Sequence, residues 1–187
     1  MSIILASSSP RRRELLTMLG LDFTVRPADI DEKFDPERDP ADEVLRVAMA
    51  KAAAVPAAEN ELVLAADTIV VLDGRVLGKP KDEADAARML RALSGRTHAV
   101  YTGVAAKRGA QCGGLVDRSL VTFRDISDDE IARYIATGEP MDKAGSYGAQ
   151  GIGAIFVERI DGDFYNVMGL PLCALSGLLG HFGEKIL

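Results

Sequence analysis

The chain has 187 residues, of which 48% are hydrophobic and 27% charged, and its net charge is −6 at neutral pH. A chain of this length and ordinary composition buries a core without disulfides or a structural metal, which excludes a disordered chain, a collagen-like repeat and a disulfide scaffold. Because nucleic-acid binders need a basic footprint, the acidic charge argues against stable nucleic-acid binding.

Cysteine use and hydropathy indicate the compartment. Cys112 and Cys173 lie far apart in the sequence and form no C-x-x-C pair, so we expect reduced thiols and a cytoplasmic protein. No apolar run follows a basic start at the N-terminus, and no run approaches the roughly 18 apolar residues of a membrane span. The sequence therefore predicts neither a signal peptide nor contact with a membrane.

The N-terminal part of the chain alternates short apolar runs with helical segments. Ser9 and Pro10 favour a helix start and Gly20 favours its end, because proline suits the first helical position and glycine the residue after the last. The predicted elements are strands at 3–6, 23–26 and 62–72, helices at 10–19 and 41–55, and an acidic loop at 29–39.

The rest of the chain carries clear turn and capping signals. Asp73-Gly74 predicts a hairpin after the strand 62–72, and Ser127 with Glu130 forms a capping-box pattern. Because strands and helices mix without strict alternation, we expect a mixed α/β (α+β) fold with a sheet flanked by helices. The further predicted elements are helices at 83–93, 128–136 and 170–179, strands at 97–106, 115–123 and 152–160, a glycine-rich stretch at 109–114 and a long loop at 138–151.

Three consecutive arginines mark the start of the first predicted helix. The segment 7–13 reads Ser-Ser-Ser-Pro-Arg-Arg-Arg and joins a predicted strand to this helix. The N-terminal end of a helix already carries a positive partial charge, so arginines there favour a bound anion. Backbone N–H groups, serine hydroxyls and guanidinium groups together suit phosphate oxygens. The alternative is a capped helix with solvated arginines.

Two charged residues interrupt apolar patterns. Five apolar residues precede the Asp67-Thr68 pair in the strand 62–72 and four follow it. A buried carboxylate is costly unless it is paired or bound to a metal, so Asp67 is either a functional residue or a solvated strand end. Lys51 lies on the apolar stripe of the helix 41–55, so it either points into an anion site or extends to solvent.

The remaining candidates are weaker on their own. Lys79 lies in a Gly-Lys-Pro turn and Glu32 in an acidic loop, where a solvated charge is an equally good interpretation. The loop 138–151 is longer than a connection requires and contains several glycines, so it is either a ligand-binding loop or a flexible surface segment. His98 and His181 lack metal-ligand spacing and are interpreted as structural.

Taken together, these charges indicate phosphoanhydride chemistry. Cations bind a polyphosphate, while carboxylates hold a hard divalent metal and can orient a water. No histidine or cysteine nucleophile stands in an obvious position, so we expect attack by water rather than a covalent intermediate. The residues concerned are Arg11, Arg12, Lys51, Lys79, Glu32 and Asp67.

Six separate segments carry a resemblance to a known family. They are 5–16, 66–70, 78–80, 89–95, 139–145 and 166–171. In this order they resemble the Maf family of nucleoside triphosphate pyrophosphatases, and the likeness extends from about residue 3 to residue 172. The family implies an elongated mixed sheet with two lobes around a cleft, similar to the fold of inosine triphosphate pyrophosphatases, in one domain over 1–187.

The resemblance also implies an activity and a set of site residues. Family members cleave a nucleoside triphosphate between its α- and β-phosphates with the help of a divalent metal cation (Mg, Mn or Co), and homodimers are frequent. The implied roles are proton acceptor for Asp67, metal binding for Glu32 and Asp67, phosphate binding for Ser7, Arg11, Arg12, Lys51 and Lys79, and substrate choice for Arg11, Thr68 and Gln150.

The family has one branch for dTTP and UTP and another for 7-methyl-GTP. Residues 142–147 resemble the first branch, and Ala149 departs from it only in size. The amide of Gln150 presents a donor and an acceptor, which match O4 and N3–H of thymine and uracil. Guanine presents two N–H donors, which suit a carboxylate instead. The expected substrates are therefore dTTP and UTP.

The sequence leaves three functions open. The first is a metal-dependent pyrophosphatase that acts on dTTP, UTP and modified pyrimidine nucleotides. The second is a nucleotide-binding regulator of cell division and septum formation without relevant turnover, against which the intact Asp67 argues. The third, a nucleic-acid binder, conflicts with the acidic charge and the scattered cations.

Overall fold

A computed structural model describes residues 2–31, 34–35 and 37–187. Glu32, to which the resemblance assigns a metal, lies outside the described residues. Each helix in the described part of the chain is too short or too polar to span a membrane. The helices are α1 (Pro10–Met18), α2 (Pro40–Ala54), α3 (Glu83–Leu93), α4 (Asp128–Ala136), α5 (Phe164–Met168) and α6 (Leu172–His181), and the strands are β1 (Ile3–Leu5), β2 (Phe23–Val25), β3 (Leu62–Leu72), β4 (Arg75–Leu77), β5 (Thr97–Arg108), β6 (Gln111–Phe123) and β7 (Val157–Asp161).

The described strands form a seven-stranded sheet in the order β2-β1-β3-β5-β6-β7, with β4 paired to β3. Strand β1 is parallel to both β2 and β3, so that Ile3 lies opposite Phe23 on one side and Leu62 on the other. Strand β4 is antiparallel to β3, and β7 is antiparallel to β6. The predicted fold class, a mixed sheet flanked by helices, is therefore confirmed.

The chain divides into two compact units. Unit 1 contains Met1–Asp67, Thr102–Asp117 and Gly169–Leu187, and unit 2 contains Thr68–Tyr101 and Arg118–Met168. The chain changes from one unit to the other within β3, β5 and β6. Two units agree with the two lobes that the resemblance implies. The cleft and the single domain over 1–187 stay predictions.

Local signals predicted most element boundaries. A turn at 73–74 joins β3 to β4, and Ser127 and Glu130 form the capping box at the start of α4. The glycine-rich stretch at 109–114 is a shorter break than predicted, because only 109–110 form a turn between β5 and β6. Signals of this kind act between neighbours in the chain, so the sequence alone carries them.

The predicted strand at 152–160 is wrong in its first half. Ile152–Phe156 is a 3-10 helix, and the strand begins only after it. The backbone N–H groups of Ile152 and Gly153 donate to the carboxylate of Glu139 at 2.9 and 3.0 Å. A side chain thus takes the donors that a neighbouring strand would otherwise bind.

Helix α2 packs closely on the sheet within unit 1. Asp39 caps the start of the helix by accepting a hydrogen bond from a backbone N–H at 2.8 Å. The buried side chains of Ala48 and Ala52 share an apolar cluster with Val63 and Ala65 of β3. Small residues on α2 and on β3 allow the helix to lie close to the sheet.

We expect Gly103→Ala to destabilise the protein. A Cβ at this position of β5 would lie 2.6 Å from the carbonyl oxygen of Val44 and 2.9 Å from the Cα of Leu45, both in α2. Backbone atoms cannot rotate away, so the helix must shift, and overpacking of this kind costs about 1–3 kcal/mol. Denaturant unfolding of the variant and the wild type measures the difference in the free energy of unfolding.

Gly177→Ala is the matched control for this prediction. A Cβ added at this position of α6 meets nothing within 4 Å. Alanine is the better helix former, so the control should gain about 0.5–1 kcal/mol of stability. Equal stability of the wild type and Gly103→Ala would show that α2 does not lie as close to β5 as the structure has it.

Candidate active site

A lysine and an aspartate form an ion pair inside unit 1. Asp67 follows Val63 and Ala65 at the two-residue spacing of β3, so its side chain points to the face that α2 covers. Lys51 Nζ, from the buried stripe of α2, lies 2.8 Å from Asp67 Oδ1. The side chains of Lys51 and Asp67 are only 9% and 16% exposed. The alternatives of a solvent-directed lysine and a solvated strand end are therefore wrong.

The ion pair engages one carboxylate oxygen of Asp67 and leaves the other able to accept a proton. Each charge compensates the burial of the other, because an ammonium and a carboxylate at hydrogen-bond distance replace lost hydration. Lys51 contacts Oδ1, and no described residue donates a hydrogen bond to Oδ2 of Asp67. A carboxylate oxygen in this state can accept a proton from a water.

The junction between β1 and α1 is built around Ser7. Its hydroxyl oxygen accepts hydrogen bonds from Ser9 N at 3.2 Å and from Arg12 Nη1 at 3.1 Å. Arg12 Nε donates to the carbonyl oxygen of Gly169 at 2.8 Å. Both Ser7 and Arg12 are buried, so these bonds orient the guanidinium group. For Arg12, the alternative of a solvated arginine is wrong.

This junction has the properties of an anion site. Ser9, the residue before α1, makes no side-chain capping bond, and the first turn of α1 contains no acidic residue. Among the described residues, none accepts the hydroxyl proton of Ser7, which can therefore donate to an anion. Arg11 is half-buried on the same turn. A helix N-terminus with a hydroxyl and two guanidinium groups suits phosphate oxygens.

In unit 2, the carboxylate of Glu139 joins the start of the loop 138–151 to the 3-10 helix that follows the loop. Glu139 accepts hydrogen bonds from the hydroxyl of Tyr134 at 2.9 Å and from the backbone N–H groups of Ile152 and Gly153. Burial by itself raises the pKa of Glu139, but the two backbone donors and Tyr134 outweigh it, so the pKa lies below its ordinary value. The carboxylate is thus ionised and fully engaged.

The middle of the same loop is anchored at two further points. The hydroxyl of Tyr147 lies 2.8 Å from Nε2 of the buried His98. The backbone N–H of Gly145 donates to the carbonyl oxygen of Gly78 at 3.0 Å, and a Cβ at Gly145 would meet Val70 of β3 at 3.0 Å. The alternative of a flexible surface segment is therefore wrong.

Three predicted site residues lie in unit 2. Thr68 is half-buried on β3, directly after the end of unit 1. Lys79 is exposed in the turn between β4 and α3 and follows Gly78, the residue to which the loop is bonded. Gln150 is exposed in the segment that precedes the 3-10 helix at 152–156. The direct contacts described among predicted site residues are those of Lys51 with Asp67 and of Ser7 with Arg12.

Asp67 fits a divalent cation as one of few protein ligands. The described residues contain no group of three histidines, cysteines or acids placed to hold a metal. Mg²⁺ typically binds one or two protein carboxylates together with substrate phosphates. A single partly exposed carboxylate is therefore a sufficient protein ligand. Glu32, the second predicted ligand, lies outside the described residues. A cation held by all-protein ligands is not supported by the described part of the chain.

Sequence reasoning did not single out Glu139, Tyr134 or the pair of His98 and Tyr147 as candidates. Glu139 stood within a recognised segment, but its role depends on donors that are 13 and 14 residues away in the chain. His98 was interpreted as structural, which agrees with its burial and its bond to Tyr147. For Glu139, the available signal in the sequence was a glutamate at the start of a glycine-containing loop.

Comparisons with known proteins give one consistent result. A family model described as "Maf-like protein" matches residues 2–182. The dTTP/UTP pyrophosphatase of Moorella thermoacetica is 56% identical, over 98% of this chain and 96% of that protein. The protein of the same name from Dictyoglomus turgidum is 51% identical, over 99% and 98%. Among solved structures, a HAM1 protein from Coxiella burnetii is 18% identical, with a TM-score of 0.48 over 97% of this chain and 99% of that chain.

We expect the free energy of unfolding to fall as the pH drops from 7 to 5. Burial lowers the pKa of His98 from its ordinary 6.5 to about 4, so the unfolded chain binds the proton first. Stability that depends on a neutral His98 is present above pH 6.5 and is lost toward pH 4. By linkage, the loss at pH 5 is about 2 kcal/mol. Denaturant unfolding at pH 7, 6 and 5 measures it.

His98→Gln is the control, because it removes the titrating ring and keeps an amide near the same tyrosine hydroxyl. Its stability should vary less over this pH range. Glu43 and Glu130 interfere little, since hydrogen bonds from arginines lower their pKa values from 4.5 to about 2 and most of their effect lies below pH 4.5. Parallel pH curves for the two proteins would mean that His98 is not buried in its neutral form.

Proposed function

The chain belongs to the Maf family, and from this premise we propose that it hydrolyses the α–β phosphoanhydride of dTTP and UTP to a nucleoside monophosphate and pyrophosphate. Relatives named dTTP/UTP pyrophosphatase are 56% and 51% identical over nearly the whole chain. The observation that carries the proposal is the ion pair of Lys51 with Asp67, since it keeps a carboxylate within an otherwise apolar strand.

Asp67 acts as the proton acceptor in this proposal. Its Oδ1 is engaged by Lys51 Nζ at 2.8 Å, which fixes the orientation of the carboxylate. Oδ2 takes a proton from the attacking water, which adds to the α-phosphorus while the bond to the bridging oxygen breaks and pyrophosphate leaves. A positioned general base of this kind contributes roughly 10²–10⁴-fold to the rate.

The cations hold the phosphate groups. Ser7 and Arg12 are fixed to each other at the start of α1, and Arg11 lies on the same turn. A guanidinium group offers paired N–H donors to phosphate oxygens, and the helix end adds backbone donors. Lys51 contributes positive charge beside Asp67, and the resemblance assigns Lys79 to phosphate as well.

A divalent metal cation (Mg, Mn or Co) completes the site in this proposal. Asp67, and Glu32 by resemblance, would hold it together with substrate phosphates. Such a cation, when bound, neutralises phosphate charge and favours the leaving of pyrophosphate. Asp67 thus serves two purposes, as ligand and as proton acceptor, and its two oxygens differ in their surroundings.

Base recognition is assigned to Gln150, with Thr68 and Arg11 as further determinants of substrate choice. The amide of Gln150 donates to O4 and accepts from N3–H of thymine or uracil. Neither contact involves carbon 5 of the ring, so pyrimidines modified there are also expected substrates. The proposal further includes a homodimer in the cytoplasm and a single catalytic domain over 1–187.

The wild-type protein should release pyrophosphate from dTTP and UTP in the presence of Mg²⁺, faster than from CTP, ATP, GTP or 7-methyl-GTP. Removal of the metal with EDTA should abolish turnover. A pyrophosphate-release assay across this panel, with the nucleotide product identified by chromatography, tests the proposal. Orthophosphate as the first product would refute the cleavage position. Nucleotide binding without any turnover would favour the non-catalytic regulator instead.

Asp67→Asn and Asp73→Asn form a matched pair of variants for the same assay. Asp67→Asn removes a carboxylate of β3 that pairs with Lys51. Asp73→Asn removes a carboxylate of the turn after β3 that pairs with the exposed Arg96. The kcat of Asp67→Asn should fall by about 10²–10⁴, while Asp73→Asn should keep its rate. Retention of more than about a tenth of kcat by Asp67→Asn would exclude it as the proton acceptor.

Gln150→Glu should shift the base preference away from dTTP and UTP. An ionised glutamate offers acceptors only, so O4 of the base would face an oxygen with no proton between them. An unmet buried acceptor costs about 1–3 kcal/mol, so kcat/KM for dTTP should fall by roughly 10 to 100-fold. Steady-state kinetics with dTTP, UTP and 7-methyl-GTP measure the shift.

Gln150→Met is the control for this variant, because it keeps the length of the side chain and removes both polar atoms. It should lose dTTP activity without any gain for 7-methyl-GTP. Unchanged dTTP and UTP kinetics in both variants would mean that Gln150 does not contact the base.

A further inference from the structure

We propose that Glu139 is a positioning residue that sets the discrimination between uracil and cytosine nucleotides. Through backbone hydrogen bonds it fixes the segment 148–153, which carries Gln150. The inference rests on the proposed function, because it concerns how Gln150 meets a base. Glu139 itself is not assigned any contact with substrate.

The hydrogen bonds hold this segment on both sides of Gln150. On the C-terminal side, Glu139 Oε2 accepts from Ile152 N at 2.9 Å and Oε1 accepts from Gly153 N at 3.0 Å. On the N-terminal side, Gly148 N donates to the hydroxyl of Tyr134 at 3.2 Å. That hydroxyl in turn donates to Glu139 Oε1 at 2.9 Å.

Gly151 provides independent support for the close fit of this segment. Its φ of +142° is a conformation that residues with a side chain rarely adopt. A Cβ there would lie 2.8 and 2.9 Å from the two carboxylate oxygens of Glu139. The backbone directly after Gln150 therefore approaches the carboxylate as closely as only glycine permits.

Discrimination by a glutamine requires a fixed amide. Rotation of the terminal amide by half a turn exchanges its donor and its acceptor. Uracil presents an acceptor at position 4 and a donor at N3, whereas cytosine presents a donor and an acceptor at the same places. A loosely held Gln150 can pair with either base. A segment that holds its backbone in one place fixes the position from which the Gln150 side chain approaches the base, so fewer pairing geometries are open to its amide.

The location of the hydrogen bonds of Glu139 distinguishes a positioning role from a catalytic one. The described hydrogen bonds of the Glu139 carboxylate are all made within unit 2, to Tyr134, Ile152 and Gly153. Loss of the carboxylate should therefore raise KM for pyrimidine substrates and lower selectivity, while kcat changes little. A role in the overall stability alone would change neither selectivity nor KM at a temperature where the protein is folded.

Glu139→Gln is the principal variant for the test. Its amide N–H₂ faces backbone donors, so at least one of the two bonds to Ile152 and Gly153 is lost. Losing about 1.4 kcal/mol of positioning is a tenfold effect. We expect the ratio of kcat/KM for UTP to that for CTP to fall by about tenfold, mainly through KM for UTP. The inhibition constant of inorganic tripolyphosphate, which has no base, should stay within about twofold of wild type.

Glu130→Gln is the matched control. Glu130 is another carboxylate of unit 2 that accepts a backbone hydrogen bond, from Ser127 at 2.9 Å, and it also pairs with Arg124 at 2.7 Å. This variant should lose thermal stability but keep the wild-type ratio of UTP to CTP. In a Gln150→Ala background, Glu139→Gln should cause no further change in that ratio, because the residue through which it acts is gone.

The outcomes separate this inference from the proposed function. An active wild type whose ratio of UTP to CTP survives in Glu139→Gln overturns the inference and leaves the function standing. A wild type that hydrolyses no nucleoside triphosphate overturns both. Should Glu139→Gln not fold, Tyr134→Phe decides, since it removes only the hydroxyl between Gly148 and Glu139. An unchanged ratio in that variant refutes the inference, and a lowered ratio supports it.

Discussion

An ionised side chain stays inside an apolar strand only when a partner compensates its charge, and in unit 1 that partner comes from a helix. Lys51 of α2 reaches Asp67 of β3 at 2.8 Å, and both side chains are nearly withdrawn from solvent. Neither residue tolerates burial alone. The position of α2 on the sheet is thus tied to the position of the carboxylate, and the proposed chemistry depends on both.

The close packing of α2 follows from the absence of side chains beneath it. Added Cβ atoms at Gly103 and Gly114 would lie 2.6 and 2.8 Å from atoms of Val44 and Leu45 in the helix. Alanines make up much of the apolar cluster between the helix and the sheet, so the helix lies low enough for the four-carbon side chain of Lys51 to reach β3. Small residues in the sheet therefore help to set the position of Lys51.

In unit 2, one carboxylate binds two donors of an irregular backbone segment. The loop 138–151 leads into a 3-10 helix, and the N–H groups of its first two residues, Ile152 and Gly153, bind Glu139. Buried or partly buried N–H groups need an acceptor, and an ionised carboxylate can accept several at once. The loop is thereby ordered without being part of the sheet, and polar side chains such as Gln150 are presented from a fixed backbone.

The sequence by itself determined those features that neighbours in the chain decide. The turn at 73–74, the capping box at Ser127 and the apolar run around Asp67 needed no tertiary contact to be recognised. The tertiary structure alone decided that Lys51 meets Asp67, 16 residues away, and that Glu139 binds donors 13 and 14 residues further on. It also placed a 3-10 helix over the first five residues of the predicted strand 152–160. The physical reason is the same each time, since a buried charge or N–H group binds the partner that folding brings to it, and the local sequence does not identify which partner that is.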